Sequence, residues 1–408
     1  MAAQRKKRVL ILTADAGFGH RSAANAIAAA LRETHGGECV IRIVNALNDR
    51  RAPRGLRASQ ADYDRVARDL PELYKLGFRA TDAAAAKAMM EAGMQAALYR
   101  VMRGLVAEQR PDLIVSTYPL YQAPLGAVFS LTKRFIPLVT VVTDLVTVHH
   151  MWFNEYSDLT VVPTKAALRL ALAARLPAQR VAVIGIPVHP AIAKERRAKP
   201  AIRAALGWEP KLTTVLIVGS RRSRLYVEAA HVLNHSGLPI QLVLATGGDS
   251  ERYAELRKTR WHRPARVYGF VENLQALMPA ADFVVTKAGG LTVAEALACG
   301  LPLMLTDVIP GQETGNAAYV VDGGAGEIVA EPLQVLEKTC HWLLDKGALL
   351  RKRAANARKL GRPRAVFDIV DRMWELARRG PVTKEASQIL ALPRLIEFFK
   401  RLKVKTDW

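Results

Sequence analysis

Phe283-Val284-Val285-Thr286-Lys287-Ala288-Gly289-Gly290-Leu291-Thr292-Val293-Ala294-Glu295-Ala296-Leu297 reads as a short apolar strand that turns through two glycines directly into a helix. A continuous apolar run of this length suits a strand buried on both faces, and so a parallel sheet covered by helices. The glycines allow a tight turn in which backbone amides approach a ligand. The unpaired N–H groups at the helix start carry partial positive charge, which suits a diphosphate held without a metal ion. The next strand, Leu303 to Thr306, leads into Ile309-Pro310-Gly311-Gln312-Glu313-Thr314-Gly315-Asn316-Ala317. Lys287, Gly289, Gly290 and Thr292 then surround a phosphate position, and Glu295, expected near the end of the first turn, is placed to accept hydrogen bonds from ribose hydroxyls. Gln312, Glu313 and Asn316 form a second polar edge suited to sugar hydroxyls. Capping alone accounts for a Thr and a Glu near a helix start, but not for two linked Gly-rich turns after successive strands. The pair of turns points to a nucleotide-sugar site.

Further apolar runs surround this one. Thr214 to Val218, Gln241 to Ala245, Arg266 to Gly269 and Gly326 to Val329 complete a second set of strands. An earlier set comprises Val9 to Thr13, Val40 to Val44, Leu113 to Ser116, Leu138 to Thr143, Thr160 to Pro163 and Val181 to Gly185. Helical stretches separate them, so the expected architecture is α/β, with two Rossmann-like lobes of parallel strands facing across a cleft. The expected boundaries are 1–193 for an acceptor and membrane-binding lobe, 194–375 for a donor-binding lobe, and 376–408 for a basic amphipathic tail that packs back on the first lobe or lies in a membrane interface. In that tail Leu395, Ile396, Phe399 and Leu402 share helical spacing with nearby Arg394, Lys400, Arg401, Lys403 and Lys405. Residues 48–80, rich in Arg, read as an excursion from the first lobe. A long helix follows, with Met90, Met94, Leu98, Val101 and Leu105 on one face, a stripe that suits core packing or a lipid-facing groove.

The 408 residues carry 59 Lys and Arg against 37 Asp and Glu, a net charge of +22. Such an excess attracts polyanions. Aromatic residues are only 6% of the chain, and no nucleic-acid reading element accompanies the charge, so an anionic membrane and phosphorylated substrates fit better than nucleic acid. Cys39, Cys299 and Cys340 are too scattered for a disulfide framework or a metal site and suit a reducing cytosol. The basic start, Arg5-Lys6-Lys7-Arg8, precedes an apolar run that stops at Thr13-Ala14-Asp15, which argues against a signal peptide. Leu113 to Thr132 lacks charge but contains Pro119 and Pro124, so no transmembrane helix is expected. A peripheral or monotopic position on the cytoplasmic face of the membrane follows as the expectation.

The first strand runs into Ala14-Asp15-Ala16-Gly17-Phe18-Gly19-His20-Arg21-Ser22. Gly17 and Gly19 give a close backbone turn without the G-x-G-x-x-G dinucleotide spacing, and Arg21 adds charge near the cleft. His20 on that turn is suited to remove a proton from an acceptor hydroxyl. After the fourth strand comes Thr143-Asp144-Leu145-Val146-Thr147-Val148-His149-His150-Met151-Trp152. Asp144 there orients His20, binds the acceptor hydroxyl or serves as a turn residue, and the sequence leaves these readings open. Asp144, His149 and His150 lack the further spaced ligand that a metal would need.

On these motifs, with Gly185-Ile186-Pro187-Val188, the chain resembles the monogalactosyldiacylglycerol synthases and bacterial processive diacylglycerol glucosyltransferases. It is more distantly similar to the N-acetylglucosaminyltransferase that makes lipid II. The resemblance covers most of residues 8–330 and implies a GT-B fold, and inverting transfer of galactose or glucose from a UDP-hexose to a diacylglycerol-like lipid, with no metal or other cofactor. It implies His20 as general base, Glu295 as the ribose contact, Gln312 and Glu313 as sugar contacts, and an acceptor side drawn from Gly17, Gly19, Arg21, His149 and Trp152. One loop departs from the family pattern: where a Gly-rich loop is usual, this chain has Gly219-Ser220-Arg221-Arg222-Ser223-Arg224. Gly219, Ser220 and Arg221 remain donor-binding candidates, because arginines hold phosphate by bidentate hydrogen bonds. The departure leaves two alternatives: transfer to another lipid-linked acceptor, or a catalytically silent protein that binds membrane or nucleotide.

Overall fold

The structure, a computed structural model, describes residues 5–15, 18–57, 84–220, 223, 225–311 and 313–383. The chain forms two α/β units: the described residues up to 57, 84–187 and 365–383 make one, and 188–364 the other.

In the first unit the strands are β1 (Lys7–Thr13), β2 (Cys39–Asn45), β3 (Leu113–Ser116), the two-residue β4 (Arg134–Phe135), β5 (Leu138–Val141), β6 (Leu159–Val162) and β7 (Val181–Val183). Six of them form one parallel sheet in the order β2-β1-β3-β5-β6-β7. Alternate residues of β1 serve opposite faces, as strand geometry requires. Val9 and Ile11 pack with Ile27 and Leu31 of the helix Phe18–His35, while Leu10 and Leu12 pack with Leu98 and Met102 of the helix Ala84–Gln109. The expected stripe on the latter helix is therefore core from Leu98 onward, with Met94 partly buried against the same cluster. The uncharged stretch Leu113 to Thr132 is β3 followed by a helix, Gln122–Thr132, whose residues from Gln122 to Ser130 are all buried. Pro124 is tolerated because it lies in the first helical turn, where its missing N–H breaks no bond. Among the described residues no helix is long and apolar enough to cross a membrane.

The domain boundaries differ from the sequence reading. The division falls between Pro187 and Val188 rather than after residue 193, and the helix Ala365–Arg379 belongs to the first unit rather than the second. Its apolar stripe, Val366, Ile369, Val370 and Met373, joins the same cluster as Val9 and Ile27. Trp374 stacks on His35 at 4.1 Å between ring centroids, Arg379 bonds Asp158 at 2.8 Å, and Val382–Thr383 pairs antiparallel with β4. An amphipathic period names a buried face but not the sheet it covers, which is why the sequence misplaced this helix. The basic tail from Pro393 lies outside the described residues, as do 58–80 of the Arg-rich excursion. The beginning of that excursion is pinned down: Arg51 bonds Asp49 at 2.7 Å and Glu108 of the 84–109 helix at 2.7 Å. Gly104 makes room for that guanidinium, since a Cβ there would collide with it.

The second unit contains β8 (Thr213–Val218), β9 (Ile240–Ala245), β10 (Ala265–Tyr268), β11 (Phe283–Lys287), β12 (Leu303–Thr306) and β13 (Gly326–Ile328). They form a parallel sheet in the order β10-β9-β8-β11-β12-β13. At the entering ends of β8 and β11, Asp282 accepts from Arg203 at 2.6 Å, Lys199 at 3.0 Å and the amide of Thr214 at 2.8 Å. With that end fastened, the opposite end is left for loops that carry chemistry. Strand order reverses between β1 and β3 in one sheet and between β8 and β11 in the other. Loops leaving the carboxyl ends at such a reversal diverge and open a crevice suited to ligands.

Candidate active site

In the first unit, β1 delivers Ala14 and Asp15, and the helix Phe18–His35 begins just beyond. Thr117, following β3, holds the helix start by donating its hydroxyl to the carbonyl of His20 at 3.0 Å, and its own amide bonds Leu12 at 3.0 Å. The imidazole of His20 thus stands over the strand-order reversal. Its Nδ1 lies 3.1 Å from Thr143 Oγ1, in the loop after β5. Tyr118 meets the ring edge-on at 5.1 Å between centroids, and Trp152 lies tilted at 5.9 Å. Trp152 is only 2% exposed and packs in a cluster with Val142, Val148, Phe153 and Val162, so the wall beside His20 is rigid.

The other acceptor-side candidates divide. Gly19 is on the first turn of the helix, and Asp144 is buried beside Thr143. Arg21 forks onto Asp15 at 2.9 and 3.1 Å, and Asn45 adds a bond to Asp15 at 2.8 Å. Burial works to raise the pKa of Asp15, but the bonds from Arg21 and Asn45 prevail and hold its carboxyl below the usual range. The Arg21 charge is therefore matched locally. His149 Nδ1 accepts from the amide of Met151 at 3.2 Å and caps the short 3-10 helix that carries Trp152. Gly17 lies outside the described residues. Sequence alone does not single out Tyr118 and Thr143 as neighbours of His20: Tyr118 lies in an uncharged stretch with no motif of its own, and Thr143 stands beside the more distinctive Asp144.

In the second unit, β11 ends at Lys287 and the helix Gly290–Ala298 follows Gly289. Gly289 takes an extended conformation at the N-cap and has no side chain with which to cap the amides of the first turn. Lys287 pairs with Glu313 beside it, and a Cβ on Gly289 would lie 2.6 Å from the lysine Nζ. Glu313 also accepts from the amide of Ile309 at 3.2 Å, and Asn316, fully buried, donates to the carbonyl of Ala288 at 2.9 Å. The loops after β11 and β12 are therefore one unit, built from Lys287, Gly289, Glu313 and Asn316. Gly290 and Thr292 line its helical side. Gln312 and Arg221 lie outside the described residues.

Glu295 corrects the sequence reading. Because Gly290 is the first helical residue, Glu295 falls in the second turn, beyond capping reach, and is 8% exposed. Burial pushes its carboxyl up to about 8. A buried acid of this kind suits a hydrogen-bonding partner brought by a ligand.

Val218 and Thr286 are in register on neighbouring strands, so the Gly219 turn leaves next to the Lys287 turn. Gly219 is required there, since a Cβ would lie 2.5 Å from the Tyr226 ring. Ser220 Oγ is 3.2 Å from Ser223 Oγ. Two features of this edge were not read from sequence. Gly247 and Gly248, after β9, both have positive φ, and Gly247 packs against the carbonyl of Gly219. Asp307, with φ of 47°, accepts from the amide of Leu225 at 3.2 Å and ties the far end of the 219–225 loop to β12. Among the described residues no cluster of three or more His, Cys, Asp or Glu is arranged to hold a metal ion.

Comparisons with known proteins agree with this layout. Residues 20–188 match the monogalactosyldiacylglycerol (MGDG) synthase family, and residues 213–364 match the glycosyltransferase family 28 C-terminal domain. The chain is 34% identical over 393 residues to the monogalactosyldiacylglycerol synthase of Spinacia oleracea, covering 93% of this chain and 74% of that protein. It is 31% identical over 388 residues to monogalactosyldiacylglycerol synthase 1 of Arabidopsis thaliana, covering 92% and 72%. Among solved structures, MurG of Acinetobacter baumannii shares the fold with a TM-score of 0.53 at 17% identity, covering 90% of this chain and 99% of that one. The calicheamicin glycosyltransferase CalG4 does so with a TM-score of 0.55 at 14% identity, covering 98% and 100%. HepE of Anabaena, solved in complex with UDP, has a TM-score of 0.52 at 16% identity, covering 91% and 99%. With both halves matched in order and a third of its residues shared along nearly its whole length, the chain belongs to the monogalactosyldiacylglycerol synthase family and is a glycosyltransferase of the GT-B fold.

Proposed function

We propose that the protein transfers a hexose, galactose or glucose, from a UDP-sugar to diacylglycerol with inversion at the anomeric carbon. The observation that carries the reading is the His20 imidazole, set on a helix start and held by Thr143 between Tyr118 and Trp152. In this reaction the acceptor hydroxyl attacks as His20 takes its proton, and UDP departs from the opposite face of the sugar. The leaving diphosphate is stabilised by the uncapped amides after Gly289, with Lys287 beside them, so no divalent cation is required. Glu295 receives the ribose hydroxyls, and Glu313, Asn316 and Gln312 the sugar. Asp144 and the aromatic wall at Trp152 serve the acceptor side. Attachment to an anionic bilayer follows from the net charge of +22 and brings the enzyme to an acceptor that does not leave the membrane.

The test is to supply labelled UDP-galactose and UDP-glucose with diacylglycerol in neutral and anionic vesicles, with and without EDTA. Labelled monohexosyl diacylglycerol is expected from one donor or both, at a rate unaffected by EDTA, higher on anionic vesicles and falling as salt screens the attraction. No glycolipid from either donor contradicts the reading. UDP binding without product would favour a silent nucleotide-binding protein instead, the alternative raised by the Gly219–Arg224 departure.

A further inference from the structure

We propose that Thr143 is a positioning residue that fixes the tautomer of His20. The inference rests on His20 as the base and adds what makes it competent. The contact is Thr143 Oγ1 to His20 Nδ1 at 3.1 Å. A neutral imidazole carries its proton on one nitrogen only, and a hydroxyl can serve either nitrogen state, so the direction of this bond decides which nitrogen is basic. When the oxygen accepts Nδ1–H, the lone pair resides on Nε2, the nitrogen farther from the backbone and suited to reach an acceptor. When the hydroxyl donates instead, Nε2 carries the proton and the ring cannot act as a base from that edge.

The surroundings hold the imidazole and this hydroxyl in contact. Thr143 is 5% exposed, so water does not compete freely for its oxygen. Its position is set by β5, whose residues Leu138–Val141 are buried and paired in parallel with β3 and β6. The ring is confined by Tyr118 at 5.1 Å and Trp152 at 5.9 Å, and the His20 backbone is tied to Thr117. Rotation of the imidazole away from Thr143 would have to displace an aromatic neighbour.

The test compares Thr143→Val, which keeps the shape and removes the oxygen, with Thr143→Ser, which keeps the oxygen. Protein labelled with 15N-histidine gives the nitrogen shifts of His20, assigned by their loss in His20→Ala. The wild type and the serine variant are expected to show the proton on Nδ1, and the valine variant a shift toward the Nε2–H form. In the transfer assay the valine variant is expected to lose about tenfold or more in kcat, the scale of one buried hydrogen bond, with KM for the UDP-sugar unchanged and the serine variant largely restored. Unchanged His20 shifts in the valine variant overturn the proposal, as does a serine variant no better than valine. The shifts are read without turnover, so a failure of the transferase reading, seen as full activity in His20→Ala, is distinguishable from a failure of this one.

Discussion

Replacing His20 by alanine is expected to lower kcat by about two to four orders of magnitude, the range that a positioned general base supplies. Affinity for UDP is expected to stay at the wild-type level, because the elements proposed to bind the diphosphate belong to the other unit. The loss should not come from misfolding: Thr117 bonds the carbonyl of His20, which alanine retains, and the ring is only partly buried. Transfer of labelled hexose to vesicles gives the rate, and calorimetric titration with UDP gives the affinity. A variant that turns over like the wild type would remove His20 from the mechanism, and a joint loss of rate and UDP binding would point to structural damage.

Replacing Glu295 by glutamine is expected to make stability less dependent on pH and to weaken UDP binding. Its carboxyl is held near 8 by burial, against an ordinary value of 4.5, so between those two values the folded protein keeps a proton that the unfolded chain releases. Proton release on unfolding makes the wild type progressively less stable as pH rises through that window, by an amount on the order of a few kcal/mol, with no further change above it. The glutamine variant lacks this penalty and gains on the wild type from pH 4.5 to about 8. Denaturant titrations at several pH values check this, and parallel slopes for the two proteins would show that Glu295 is not the buried acid inferred here. If ribose hydroxyls bond the ionised carboxylate, UDP binding below pH 8 also releases a proton from the wild type. The variant would lose that release along with about tenfold or more in affinity.

Much of this architecture was legible in advance because each strand is a short, almost purely apolar run. In a parallel sheet covered on both faces such runs have no polar alternation to blur them, and the twelve strands of the two parallel sheets lie within a few residues of their expected places. The Gly289–Gly290 turn was equally plain, since glycine at that junction has a specific backbone reason to be there. What the sequence could not convey was partnership across long separations. The stripe Val366, Ile369, Val370 and Met373 is equally suitable for either sheet, and only the fold shows it against Val9 and Ile27. Glu295 is singled out by its motif, but its setting depends on where the helix starts; one turn decides between an exposed cap and a buried acid. Thr143 and Tyr118 touch His20 from loops more than ninety residues away along the chain, and neither residue type is distinctive enough to be singled out alone. Asp307 was hidden for the same reason, with its positive φ visible only in three dimensions.

The most direct check on the central claim is the anomeric configuration of the glycolipid, read from the coupling of its anomeric proton by NMR. The donor sugar is α-linked to UDP, and a single displacement assisted by one base must deliver the β-linked product. A β-glycoside from the wild type, absent with His20→Ala, is the expected result. An α-linked product would contradict direct attack by the lipid hydroxyl and require a different chemistry at this site.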